Sequence, residues 1–274
     1  MPSRKYGQID QDYGLRLATT PPEEDGPVWM VNLMKYHDVA QYEGKDTSQI
    51  SGREADDRYL PLKPLAAVGA EIVFVGDVEM KLLGDGRSWD RVAVVKYPTR
   101  RSFIEMQGRQ DFQEKHVHKE AGMQETIVMG CLPIPSPEVP GGETSADWAK
   151  VEHPPSNDDG PVVALHVIKF SAGAELGQTP EEMGNYTSKA TEVALRNGVQ
   201  ISGWFRVEGT IVGDGRQWDQ VRFNTFPSKA AFMAVVHDQK RLEAQKTHRE
   251  GVIADTYTLL VRPMIDQLTV ENNY

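Results

Sequence analysis

Cysteine is almost missing from this chain: Cys131 stands alone among 274 residues. One thiol forms no internal disulfide and supplies no thiolate cluster for zinc or iron–sulfur. Long apolar runs are missing too, and nothing approaches the roughly 20 residues that a membrane-spanning helix needs. The first residues, MPSRKYGQIDQDYG, have no apolar core, so a secretory signal is not expected. Nor is there an excess of positive charge. Lys and Arg number 30 against 40 Asp and Glu, for a formal net charge of −10. A chain of that sign repels phosphate backbones, which argues against nucleic acid as a partner. With no targeting signal in view, the expected location is cytoplasmic. What is present is an ordinary globular balance, 39% hydrophobic and 26% charged, in a chain long enough for one large or two small domains.

The strongest signal is internal repetition. Gly84-Asp85-Gly86-Arg87-Ser88-Trp89-Asp90-Arg91-Val92 returns as Gly213-Asp214-Gly215-Arg216-Gln217-Trp218-Asp219-Gln220-Val221, an offset of 129 residues. Pro98-Thr99 and Phe103 return as Pro227-Ser228 and Phe232 at the same offset. His118-Lys119-Glu120 returns as His248-Arg249-Glu250, and Pro133 as Pro263, at an offset of 130. So many matches in one order mark a duplication.

Each copy carries the same pattern of elements. Val28–Tyr36 and Val162–Phe170 are rich in branched residues and alternate, which predicts strands. Helices are expected over Arg53–Val68 and Pro180–Asn197, ended by Gly69 and Gly198. Pro61 and Pro64 threaten the first of these. Thr179-Pro180 with Glu182 suggests an N-cap, a proline at the first position and a capping-box acid for the second. Strand pairs follow, Glu71–Leu83 with Ser88–Tyr97 and Gln200–Val212 with Gln217–Phe226, each joined by a Gly-Asp-Gly-Arg turn. Second helices start at the caps Thr99 and Ser228 and run to about Lys119 and Arg249. Final strands cover Glu125–Leu132 and Asp255–Arg262. The order β-α-β-β-α-β is the ferredoxin-like unit. The expected domains are an extension over 1–20, units over 21–135 and 154–266, a proline- and acid-rich linker over 136–153, and a tail over 267–274.

The pattern Trp89-Asp90-x-Val92, Tyr97-Pro98-Thr99, Phe103, His116-x-His118, Ala121-Gly122 resembles the dimeric α/β-barrel superfamily. Within it, the pattern is most similar to a small bacterial family with no assigned function. Copy two repeats it as Trp218-Asp219-x-Val221, Phe226-Pro227-Ser228, Phe232 and His248-Arg249-Glu250, with Lys246 in place of His116. The resemblance implies an α+β fold class: two tandem ferredoxin-like βαββαβ units forming an intramolecular dimeric α/β barrel. It also implies a ligand between sheet and helices or at the barrel mouth. Members of the superfamily include cofactor-free monooxygenases, lactone isomerases, haem-dependent enzymes and binding proteins.

Several residues are candidates for chemistry. Histidine can carry protons near neutral pH, and His118 and His248 sit where a helix gives way to the last strand; capping that helix end is the structural alternative. Arg87 and Arg216, in the Gly-Asp-Gly-Arg turns, can grip a carboxylate, or can simply pair with Asp90 and Asp219. Trp89 and Trp218 can wall a ligand site or pack in the core. Along the first strands, Trp29, Val31 and Leu33, like Val163, Leu165 and Val167, form apolar faces expected to meet the helices. That would leave Asn32 and His166, at equivalent positions, on the opposite faces, turned toward an inter-sheet space. A polar group there needs a partner or a ligand, so His166 is a catalytic candidate and Asn32 a binding one. Tyr59 and Tyr186, on the first helices, are expected to reach the same space. His116-x-His118 lacks helical metal-ligand spacing, so no metal site is expected.

The expected function is therefore a small-molecule enzyme of isomerase or lyase type, working by acid–base chemistry without a cofactor on a largely apolar organic substrate. A cofactor-free or haem-dependent monooxygenase and a non-catalytic small-ligand binding protein are the alternatives. The expected partner is a small-molecule ligand, with no membrane or nucleic acid; exposed sheet edges leave a homodimer open.

Overall fold

Branched residues in alternation build the long strands, and prolines and glycines cut the helices between them. The computed structural model of the chain describes residues 3–43, 49–136, 147–171 and 178–268. A short pair, β1 (Ser3–Arg4) and β2 (Gly7–Ile9), leads into α1 (Gln11–Thr19). Then come β3 (Val28–Tyr36), α2 (Gly52–Tyr59), α3 (Leu62–Ala67), β4 (Glu71–Leu83), β5 (Arg91–Tyr97), α4 (Arg100–Gly108), α5 (Gln110–Gly122) and β6 (Met123–Pro133). The second passage contains β7 (Val162–Phe170), α6 (Glu181–Arg196), β8 (Gln200–Gly213), β9 (Gln220–Phe226), α7 (Lys229–His237), α8 (Gln239–Ala244), a π-helical turn (Gln245–Arg249) and β10 (Ile253–Asp266). Strand orders β6-β3-β5-β4 and β10-β7-β9-β8 complete two β-α-β-β-α-β motifs.

The chain clusters into two compact units that are discontinuous in sequence. The first comprises Met1–Val75, Ser88–Leu132 and Glu208–Gln217, and the second Gly76–Arg87, Pro133–Val207 and Trp218–Tyr274. Of the linker expected over 136–153, residues 137–146 lie outside the described residues, as do 269–274 of the tail.

Local chemistry sets the helix ends. Gly69 and Gly198 adopt φ of +72° and +80°, the left-handed region that a side chain resists, and α3 and α6 stop there. The proline pair breaks the first helix of copy one. The helix α2 ends at Tyr59, and α3 restarts after Pro61 with Pro64 in its first turn, where no intrahelical N–H is lost. Thr99 and Ser228 cap α4 and α7, each hydroxyl accepting from the N–H three residues on. The second helices are not continuous as expected. Each breaks at an extended residue, Arg109 or Asp238. The cap expected at Thr179 is also corrected. The helix α6 begins after Pro180 with no side-chain cap, because the Thr179 hydroxyl accepts from Gln220 Nε2 at 2.8 Å instead.

The strand faces are the reverse of the expectation. In the first unit Val28 and Met30 pack with Leu65, Met106 and Phe112, so the face shared by Met30 and Asn32 lies under the helices. In the second, Ala164 packs with Val193, Phe232 and Val235, which puts His166 on the helix side as well. The polar residues are tolerated there because each finds an outlet: Asn32 Nδ2 donates to Met30 O at 2.9 Å, and His166 opens on a cavity.

The first unit also contains a buried ion cluster. Arg100 donates through Nε and Nη2 to the two oxygens of Glu208, each at 2.8 Å. Tyr13 Oη and Arg16 Nη2 donate to the same carboxylate at 3.2 and 3.1 Å. No helix among the described residues is long and apolar enough to cross a membrane.

Candidate functional site

Register across β10, β7, β9 and β8 aligns four side chains in one row. His166, in the middle of β7, is paired with Thr258 of β10 on one side and with Arg222 of β9 on the other. Arg222 is in turn paired with Trp204 of β8. Paired residues project to the same face, so the row Thr258–His166–Arg222–Trp204 forms a floor. The guanidinium of Arg222 lies 4.0 Å from the centre of the Trp204 ring, a cation–π contact. Over this floor, Met183, Tyr186 and Thr187 of α6, Phe232 and Val235 of α7, Arg241 of α8 and Arg249 of the π-helical turn close a cavity of about 360 Å³. That volume suits a small organic molecule, whose sites run from about 300 to 1,000 Å³.

The wall is mostly apolar, but its charge is all of one sign. Arg222, Arg241 and Arg249 line it, and no Asp or Glu among the described residues does. Arg222 donates Nε and Nη2 to Gln220 Oε1 at 3.1 and 2.6 Å, and Nη1 to Thr187 Oγ1 at 3.2 Å. Those acceptors are neutral. Burial, and then the neighbouring charge of Arg249, push Arg222 down to about 9. Arg249 is 5% exposed, its Nη2 has no hydrogen-bond partner among the described residues, and burial lowers its pKa as well. Thr258 Oγ1 is buried and unpartnered too.

His166 is the imidazole of the floor. The ring is partly buried and lines the cavity, and neither ring nitrogen has a partner among the described residues. Burial, and then the charges of Arg249, Arg222 and Arg241, push its pKa down to about 3. The ring is therefore neutral at physiological pH, with a lone pair available to a bound molecule.

The sequence candidates scatter around this site. His166 and Tyr186 line the cavity, and the Tyr186 ring lies 5.8 Å beneath Arg249. His248 does not line it: Nδ1 meets Glu182 at 2.5 Å and Nε2 meets Lys189 at 2.9 Å on the outer surface. His118 sits in α5 with Nδ1 2.7 Å from Tyr42 Oη, and Tyr59 packs against Phe112 and His116. Neither lines the cavity of the second unit. Trp89 and Trp218 are each 3% exposed core residues, and Trp218 stacks near Tyr257. Arg87 and Arg216 pair with Asp85 and Asp214 of their own turns, not with Asp90 and Asp219. The reason is that Asp90 accepts from Lys35 and from Tyr36 N, while Asp219 accepts from Phe170 N. Asn32 lies on the helix-covered face of the first unit's sheet, closing a local hydrogen bond. Among the described residues no group of three or more His, Cys, Asp or Glu side chains is placed to hold a metal ion.

Two arginines and a tryptophan were missed from the sequence. A signal existed for Arg222: Gln220, Arg222 and Asn224 alternate with Val221 and Phe223 in a buried strand, which marks a polar inner face. Arg249 lies inside the recurring His248-Arg249-Glu250 motif, of which the histidine is the candidate that the sequence offers. The π-helical turn, closed by Glu250 N to Gln245 O at 3.2 Å, shifts the helical register, so Arg249 is buried and His248 is turned to Glu182 and Lys189.

The two copies differ at the floor. Where His166 faces Arg222, the first unit has Asn32 facing Ala93. Lys119, at the place of Arg249, lies 5.2 Å over Tyr59, whose ring meets Phe112 edge-on. At this place in the fold, the second unit pairs an imidazole with a buried guanidinium and the first does not, among the described residues.

Comparison with known proteins agrees with this architecture. No family model matches the sequence, and no curated protein does. Among solved structures, an anthrone oxidase-like protein is similar with a TM-score of 0.53 and 14% identity, over 88% of this chain and 92% of that one. A mutant chlorite dismutase from Candidatus Nitrospira defluvii gives 0.48 and 13%, over 93% and 97%. The RPA0582 protein of unknown function from Rhodopseudomonas palustris gives 0.42 and 22%, over 48% of this chain and 98% of that one.

Proposed function

Starting from a chain with the fold of the dimeric α/β-barrel superfamily, we propose that the cavity of the second unit is the active site of an enzyme. It performs cofactor-independent acid–base chemistry, of isomerase or lyase type, on a small and largely apolar organic molecule. One observation carries the reading: a neutral, hydrogen-bond-free imidazole, His166, on the floor of a mostly apolar cavity of ligand size. In this reading His166 accepts a proton from the bound molecule and returns it to a neighbouring atom. The fixed positive charge of Arg222 and Arg249 stabilises the negative charge created in between. Tyr186 and Trp204 shape the walls.

The test is proton exchange. Wild type and His166→Gln are incubated in D₂O with a panel of small ketones, lactones and arylacetic acids, and carbon-bound deuterium is followed by NMR. The wild type is expected to exchange at least one compound, and His166→Gln to do so about 10²- to 10⁴-fold more slowly, the usual contribution of a general base. Equal rates in the two proteins, or no exchange above buffer by the wild type, overturn the reading.

A second reading, binding without chemistry, is favoured by the low pKa of His166, about 3 in the ligand-free protein, which makes it a weak base. Native mass spectrometry of the purified protein showing a retained small molecule, with no deuterium exchange into it, supports that alternative.

A further inference from the structure

We infer that the ligand of this cavity is an organic anion, a carboxylic acid on an apolar body, whose carboxylate is clamped between Arg222 and Arg249. The inference rests on the reading that this cavity is the functional site, and it adds the class of molecule that the site takes.

Two guanidinium groups are buried here with no paired anion among the described residues. Arg222 is 4% exposed and Arg249 5%, and neither has a carboxylate at ion-pair distance among the described residues. Removing a cation from water is costly unless it is paired, and a protein seldom leaves two such groups side by side. Elsewhere in the same chain a buried arginine is treated differently: Arg100 has Glu208 and Asp25 on it. Arg222 uses three of its N–H groups on Gln220 and Thr187, which fix its plane against Trp204 and leave the rest of its donors for the cavity. Arg249 contributes an unpartnered Nη2, and Thr258 an unpartnered hydroxyl on the other side of His166. Planar, paired donors suit a carboxylate better than a single carbonyl oxygen.

The rest of the wall says what the acid carries. Met183, Phe232, Val235, Val236 and Leu242 line the cavity too, and they outweigh the polar Asn224, His237 and Gln245, so the body of the acid is mostly apolar. A carboxylate held by Arg222 also lies beside His166, its neighbour in register. Burial first, and then the arginine charges, hold His166 at about 3; the same anion offsets the second of these, so binding raises the basicity of the imidazole. Proton removal from the carbon next to the carboxylate then places the electron pair in the clamped group.

Isothermal titration calorimetry with four matched pairs tests this: benzoate, phenylacetate, 2-naphthoate and octanoate, each against its primary amide. At least one carboxylate is expected to bind about 10- to 100-fold more tightly than its amide, the gain of charge-assisted over neutral hydrogen bonds. Arg249→Gln and Arg222→Met should each remove most of that preference while amide affinity stays within a few-fold, which also shows that the variants fold. If no carboxylate outbinds its amide, including if none binds, the inference is wrong; it is equally wrong if the preference survives in both variants. His166→Gln separates this from the catalytic reading. Retained carboxylate preference with no deuterium exchange in any protein sinks the catalysis alone, and exchange without carboxylate preference sinks the anion alone.

Discussion

Replacing His166 by glutamine changes how stability depends on pH, and the size of the change follows from where the ring sits. The folded-state pKa is pushed down to about 3 from an ordinary 6.5, by burial first and then by three arginines. Below pH 6.5 the unfolded chain takes up a proton on this ring and the native protein does not. The contribution of the neutral histidine is therefore complete above about 6.5 and is lost as pH falls toward about 3. Between pH 7 and pH 5 the native ring stays neutral, and the unfolded ring goes from mostly neutral to almost fully charged. Linkage then gives a loss of about 2 kcal/mol, at up to 1.36 kcal/mol per pH unit. Because pH 5 lies well above the folded value, this number depends almost entirely on the unfolded pKa. The assay is urea unfolding of ligand-free wild type and His166→Gln at pH 7, 6 and 5, followed by tryptophan fluorescence and circular dichroism. Every other titrating group is common to the two proteins, so their difference isolates the ring. Wild type should lose about 2 kcal/mol more than His166→Gln over this range. Parallel profiles would mean that the native imidazole takes up protons as freely as the unfolded one, and that the arginine-lined environment described here is wrong.

Two further expectations concern the first unit. Glu208→Ala leaves Arg100 buried without its bidentate partner, and should cost about 3–5 kcal/mol in urea unfolding, with Arg100→Met added to it recovering part of the loss; a single-variant cost under 1 kcal/mol refutes this. Gly130→Ala would drive a Cβ into the ring and hydroxyl of Tyr13, so that side chain must shift, and a melting temperature unchanged from wild type would contradict that packing.

Much of the fold could be read before any coordinates. A repeated Gly-Asp-Gly-Arg turn, two glycine helix stops and two hydroxyl caps are local signals, and they act where the sequence places them. Their chemistry involves only residues a few positions apart, so spacing alone reveals it. The helix breaks at Arg109 and Asp238 were not legible in the same way: both residues are compatible with a helix, and each break has an N–H turned back to the third residue before it.

The element order β-α-β-β-α-β, met twice, was legible in the sequence, because motif repetition and alternation are written along one dimension. Which side of each strand meets the helices is decided between distant segments. Alternation defines two faces but does not say which one is covered, and so His166 was found on the face opposite to the one expected. The same holds for the site itself. Arg222 and Arg249 are 27 positions apart, and what brings both to His166 is strand register in one case and a π-helical turn in the other. Charge without a counter-charge is a property of a place, and only the tertiary structure makes the place.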